Sequence, residues 1–172
     1  KHKFTMAKAT KKEDSPTMSV LLDKKDMAIL KLLQENARVT VKEISEKIHL
    51  STTPVHERIK RMEESGVIKQ YVTLVDQNKV DLNLMVICYV SLKEHSKTAG
   101  VNFIKTINEL HEVIECYSIS GEFDFMLKVV CKDMNAYYDF HVNKLSQQEN
   151  MGNVQSVFVM GVIKETHQVV HG

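Results

Sequence analysis

Cysteine is scarce: the chain has three, Cys88, Cys116 and Cys131, an odd number set in apolar runs. That argues against a disulfide framework and for buried thiols in a reducing compartment. Their spacing fits no zinc pattern, and no metal site is expected. No apolar run approaches the ~20 residues needed to span a bilayer. Nor is there a charged start followed by an apolar core of the signal-peptide kind. The expectation is a cytoplasmic protein with no membrane partner. The chain also lacks a phosphate-binding glycine loop, a nucleophile elbow and an HExxH pair, so no enzyme and no cofactor is expected. A strong net charge is missing too, since the formal balance is +1.

That near-neutrality hides an asymmetry. Residues 1–75 carry 15 Lys and Arg against 10 Asp and Glu, a surplus of five positive charges. Residues 76–172 carry 8 against 12, a surplus of four negative charges. A basic front and an acidic back suit a polyanion-binding module joined to a module with another task. At 172 residues the chain suits one or two small domains.

The stretch Thr40–Gly66, TVKEISEKIHLSTTPVHERIKRMEESG, organises the front half. It reads as two short helices around a turn at His49-Leu50-Ser51. Thr40 and Glu43 form a capping box, and Ile44 and Ile48 share a face. Ser51 or Thr53 can cap the second helix, with Pro54 tolerated in its first turn and Gly66 at its end. Val55, Ile59 and Met62 form its apolar stripe, which turns Thr53, Glu57, Lys60 and Arg61 away from the core and leaves His56 and Arg58 at the flanks. A short helix with such a face fits the major groove, where cations meet phosphates and polar side chains reach base edges. The plainer alternative is an ordinary helical hairpin with a solvated face. Glu57, Glu63 and Glu64 weaken the electrostatic case, although Glu57 could accept from a cytosine amino group.

Residues 1–20 are polar and lysine-rich and read as a flexible arm. Met6 and Met18 are both plausible native starts, so the first residues need not be native. Leu21–Asn36 reads as a helix capped by Asp23, with Asp26 in the first turn where the helix dipole favours it. Val67–Val75, rich in β-branched residues, reads as a strand, which completes a winged helix-turn-helix over 21–75 and lets Lys69 meet the DNA backbone. Residues 76–83 are polar and read as a linker.

Residues 84–172 read as β-α-β-β-α-β, a ferredoxin-like order. The strands are Leu84–Leu92, Val113–Ser120, Phe125–Cys131 and Val154–Lys164; the helices are Lys97–Leu110 and Met134–Leu145. Two helices cover one sheet face, and the strands are apolar at successive positions. The second face must therefore be buried against a partner, so a homodimer with sheets packed face to face is expected. Such a dimer presents two reading helices, which two-fold DNA binders hold about 34 Å or a multiple apart.

From about Leu22 onward the chain resembles the Lrp/AsnC (feast/famine) family of regulators. LDKKDMAILKLLQENARVTVKEISEKIHLS resembles the family's opening, and TTPVHERIKRMEESGVIKQYVTLVD its recognition helix and wing. SGEFDFMLKVVCKDMNAYYDF resembles its effector-loop signature, and FVMGVIKE its closing strand. The resemblance implies an α+β protein with a winged helix-turn-helix and a ferredoxin-like sensor domain. It implies a transcription regulator that binds double-stranded DNA as a homodimer or an octamer of four dimers, with a free amino acid as effector between sensor domains. DNA contacts would come from Ser51, Thr53, Pro54, His56, Glu57, Lys60 and Arg61, while Arg58 matches a family arginine whose flank position suits an intradomain ion pair. The effector side would use Ser120, Gly121, Glu122, Phe123 and Asp124, with Met134, Val157, Phe158 and Val159 as walls or interface.

The chemistry of that assignment is reasonable. Asp124 can accept from a zwitterion's ammonium, and the Ser120 hydroxyl and backbone N–H groups bared by Gly121 can donate to its carboxylate. The alternative is a hairpin in which Gly121 permits positive φ and Asp124 caps the turn. Two departures stand out: the connection SQQENMGN after Leu145, where relatives usually have a shorter turn, and the exposed set on the recognition helix. Two other readings stay open. One is an amino-acid sensor whose helix-turn-helix serves only as a protein contact. The other is an enzyme like the sirohaem decarboxylases, which the scattered His95, His111, His141 and His167 do little to support.

Overall fold

The computed structural model describes residues 21–170, so the reading of 1–20 as an arm lies outside the described residues. By contact density the chain forms two compact units, one running through Leu74 and one spanning Val75–Ile163; the closing residues from Lys164 cluster with the first. The sequence reading assigned that tail to the second domain. Backbone N–H groups of Val169 and Val170 donate to the Gln34 side-chain oxygen, at 2.7 and 3.3 Å, and Val170 packs on the helical core.

The helical unit contains α1 (Lys24–Glu35), α2 (Val41–Ile48) and α3 (Thr52–Glu64). Two capping boxes start it. The Asp23 carboxylate accepts from the N–H groups of Lys25 and Asp26, while Asp26 accepts from the Asp23 N–H. Thr40 and Glu43 repeat the arrangement at α2. Both satisfy N–H groups that a helix start otherwise leaves orphaned. His49 ends α2 in the left-handed region, and Ser51 stands at the start of α3 without a side-chain cap bond. Ile29, Leu30, Ile44, Ile48, Val55 and Met62 make the core.

The expected wing strand does not form. Val67–Val75 has no strand partner among the described residues, and Tyr71, Val72, Leu74 and Val75 are exposed. Only local ties hold its start: Ile68 N–H donates to the Met62 carbonyl at 3.0 Å, and the Tyr71 hydroxyl donates to Glu63 at 2.7 Å. β-branched composition favours a pleated backbone, but a strand exists only where another strand supplies its hydrogen bonds.

The second unit opens with a 3-10 turn, Gln77–Val80, inside the expected linker. It continues as β1 (Leu84–Leu92), α4 (Lys97–Ile107), β2 (Val113–Ser118), β3 (Phe125–Cys131), α5 (Met134–Asp139) and β4 (Met151–Phe158). The antiparallel sheet has the order β2-β3-β1-β4, which is the ferredoxin-like topology. After α5 the helix widens to a π-helical turn, Phe140–Leu145. Phe103, Ile107, Tyr137 and Phe140 pack on Val86, Cys88, Val90, Leu127 and Val129, the residues of β1 and β3 that face the helices.

Burial along β1 alternates, so the face away from the helices holds Met85, Ile87 and Tyr89, flanked by Met126 on β3 and Val157 on β4. The last strand starts three residues earlier than expected and stops at Phe158, leaving Met160 and Ile163 fully exposed. Part of the supposed loop SQQENMGN is therefore strand. Gly152 explains the early start: a Cβ there would meet the Ser91 carbonyl at 2.7 Å, so glycine lets β4 close onto β1 beside its bulge.

Candidate nucleic-acid interface and effector site

α3 carries the candidate reading surface. Ser51, Thr53, His56, Glu57 and Lys60 are exposed and Pro54 is half-buried, while Lys69 is exposed beyond the helix. Arg58 and Arg61 are placed differently from solvated groove cations. Arg58 Nη1 donates to Asp23 and Asp26, each at 2.7 Å, and Arg61 Nη2 donates to Asp26 Oδ2 at 2.7 Å. The Asp26 bond and then the Asp23 bond hold the Arg58 pKa above its ordinary value. The helix carries Glu57, Glu63 and Glu64 against Arg58, Lys60 and Arg61, and Lys60 lies 3.8 Å from Glu64. Its own charge is therefore balanced. Pro54, Glu57, Arg58 and Arg61 line an open cleft of about 290 Å³ along one stripe of α3.

The expected effector residues do not converge within one chain. Ser120–Asp124 precede Phe125, which pairs with Val90, so this loop lies at the Leu92 end of the sheet. Met134 follows Cys131, which pairs with Leu84, and Val159 N–H donates to the Met85 carbonyl. Met134, Phe158 and Val159 thus lie toward the opposite end, roughly 20 Å away at the rise of a strand, with Val157 between, cross-strand from Ile87 at mid-sheet. The nine residues fall into separate groups along the sheet.

At the loop end, Asp124 is already engaged. Its Oδ2 accepts from Leu92 N–H at 2.7 Å, and its Oδ1 lies 3.2 Å from His95 Nδ1. Its own N–H donates to the Val90 carbonyl and its carbonyl accepts from Ile119 N–H, both at 2.9 Å. The backbone closes the turn through Ile119 and Asp124, while the Asp124 carboxylate ties the loop to Leu92 and His95; Gly121 sits at φ 127°, a conformation that disfavours any side chain. Phe123 packs on Tyr89 with ring centroids 5.6 Å apart, at the margin of the bare sheet face. Ser120 and Glu122 are exposed. Sequence reasoning missed His95 and Asp26. Nothing local marks His95, and the local signal at Asp26 marks only a helix start; both act through residues about 30 positions away.

Comparison with known proteins bears on both sites. A family model described as winged helix-turn-helix DNA-binding matches residues 22–69, and one described as the Lrp/AsnC ligand binding domain matches residues 85–169. The transcriptional regulator AzlB of Bacillus subtilis is 35% identical over 152 residues, covering 88% of this chain and 97% of that protein. The chain belongs to the Lrp/AsnC family. As a member of that family it is a DNA-binding transcriptional regulator with an amino-acid-binding domain. The glutamate uptake regulatory protein of Zymomonas mobilis is 37% identical over 145 residues, covering 84% of this chain and 88% of its own length. Among solved structures, a Neisseria meningitidis transcriptional regulator in complex with L-Met superposes with a TM-score of 0.82 at 36% identity, covering 86% of this Lrp/AsnC chain and 95% of that one. The relatives so named are regulators, and no described helix is long and apolar enough to cross a membrane.

Proposed function

We propose that this regulator reads a specific DNA sequence as a homodimer, assembling further to an octamer of four dimers, and that a free amino acid held between sensor domains shifts that assembly. Domain limits follow the sequence reading for the reader at 21–75, a linker at 76–83 and a sensor starting at 84, except that the tail from Lys164 returns to the reader. Ser51, Thr53, Pro54, His56, Glu57 and Lys60 meet the DNA along α3, Arg58 and Arg61 lie beside them on their aspartate ties, and Lys69 reaches the backbone. A DNA reader of this kind works in the compartment that holds the DNA.

One observation carries the dimer. The sheet face away from the helices presents Met85, Ile87, Tyr89, Met126 and Val157 with nothing of the sensor unit's core over them. The face also carries Gln155 and the Lys128–Glu115 ion pair; its apolar strip is stabilised by burial against a second sheet of the same kind. Two copies also account for the divided effector residues. Ser120, Gly121, Glu122, Phe123 and Asp124 of one protomer would face Met134, Val157, Phe158 and Val159 of another, giving a polar loop and an apolar wall. Asp124 takes the ammonium once His95 moves off Oδ1, and Ser120 with backbone donors takes the carboxylate. The L-Met bound by the Neisseria relative supports a zwitterion of this size. Linkage does the rest, because an effector that prefers one assembly state changes the spacing of the paired helices and hence DNA affinity.

The test is a titration of genomic DNA fragments at low and moderate salt, with and without each of the twenty amino acids. Salt-sensitive sequence preference altered by one amino acid is expected. Amino-acid binding with indifference to DNA would instead identify a sensor acting on proteins alone.

A further inference from the structure

Asp26 is the least exposed charged residue among the described residues of the helical unit. It is fully buried, yet it lies one helix away from the reading surface. Each of its oxygens is spoken for. Oδ1 accepts from Arg58 at 2.7 Å; Oδ2 accepts from Arg61 at 2.7 Å and from the Asp23 N–H at 3.0 Å. Asp23 adds a second carboxylate to Arg58. The cluster is thus two carboxylates and two guanidiniums, electrically balanced. The two arginines are not equivalent. The Arg58 side chain is 25% exposed and holds two aspartates, whereas the Arg61 side chain is 48% exposed. Asp26 is the only hydrogen-bond partner of the Arg61 side chain among the described residues. A guanidinium has five N–H donors in a rigid fork, so most of the Arg61 donors remain for a ligand.

We propose that Asp26 is a positioning residue for DNA recognition: it holds the Arg61 guanidinium by one edge at the cleft of α3 and fixes the direction in which the other edge meets a backbone phosphate. Arg58 completes the buried half of the tie and keeps the Asp26 charge paired when Arg61 engages DNA. A loose arginine could neutralise any nearby phosphate. An arginine pinned to α1 meets only a phosphate in the right place, and so sets the register in which α3 enters the groove. The carboxylate selects which phosphates Arg61 can reach, at the expense of part of its charge.

The experiment measures binding to a fragment selected by the unaltered protein and to random duplex, across a salt series, with folding followed by thermal denaturation. Arg61→Ala leaves Arg58 on Asp26 and should fold. It should weaken binding to the selected fragment and flatten the dependence of log K on log salt by about 0.9, the slope of one phosphate contact. Asp26→Asn should lower affinity for the selected fragment roughly tenfold, the size of one lost contact. Its affinity for random duplex should hold or rise, since a negative charge is gone. Arg61→Lys keeps the charge but not the fork; it should keep the salt slope and lose part of the preference for the selected fragment, and it serves where Asp26→Asn does not fold. A purely structural ion pair predicts otherwise. In that case Arg61→Ala lowers the melting temperature without touching the salt slope, and Arg61→Lys retains full preference. Either result, or an equal loss on both DNAs in Asp26→Asn, overturns the proposal.

Discussion

Asp124, proposed above to take the effector's ammonium, already serves the fold. It closes the end of β1 by accepting the Leu92 N–H, and His95 sits on its other oxygen. Asp124→Ala should therefore destabilise the sensor domain by about 1–3 kcal/mol with no effector present, because the Leu92 N–H loses its acceptor in a partly buried place. Thermal denaturation of the variant checks this. His95→Ala should act in the opposite sense on binding. It removes a competitor for Oδ1, so calorimetric titration with the effector should show tighter binding; unchanged affinity would mean the ammonium does not use that oxygen. The Ser-Gly-Glu-Phe-Asp loop was recognisable in the sequence because its residues are contiguous. His95 was not, because its partner lies 29 positions onward and no local rule couples them.

At the level of helices and strands, what was readable was whatever is decided locally. The Thr40/Glu43 box and the Asp23 cap were legible because each is a bond between residues two or three apart. The same carboxylates give the helical unit an acid limit. Hydrogen bonds from the Asp26 N–H and then from Arg58 hold Asp23 below the usual carboxylate range, and the bonds from Thr40 do so for Glu43. A group whose pKa is depressed on folding adds stability above its unfolded pKa and loses it as pH falls through the folded value. Helical circular dichroism should hold at pH 5 and decline as acid is added below about pH 4, where model carboxylates protonate. The strands were harder. Val67–Val75 has strand composition and no partner, whereas Met151–Asn153 looks like loop and is strand, because Gly152 can approach the Ser91 carbonyl where no other residue fits. Gly152→Ala should cost about 1–3 kcal/mol, as overpacking against backbone does, and shift the urea midpoint accordingly.

For the protein as a whole, the ferredoxin-like order followed from counting elements, but the separation of the candidate effector residues along the sheet did not. Sequence distance carries no information on which strand end a residue occupies; only the antiparallel register does that. The bare face supplies a direct test of assembly. Ile87 lies at its centre, cross-strand from Lys128 and Val157. Ile87→Glu places a charge where a second sheet would pack, and it should give a monomer by sedimentation velocity under conditions where the unaltered chain sediments as a dimer or larger. Effector binding should fall with it, as the proposed site between two copies requires. A monomeric variant that binds the amino acid normally would confine the site to one chain.

The chain's last described residues bear on how the protein should be handled. Val169 and Val170 lean on Gln34, in the helix that also bears the Asp26 cluster at its other end. Trimming the chain after Gln168 would leave that glutamine oxygen without its two donors and bare the apolar contacts beneath Val170. Such a trimmed protein should melt earlier in its helical part while the sensor domain keeps its own transition. A fusion attached at this end would pull on the DNA-reading module, not on the metabolite-sensing one from which the chain has just emerged.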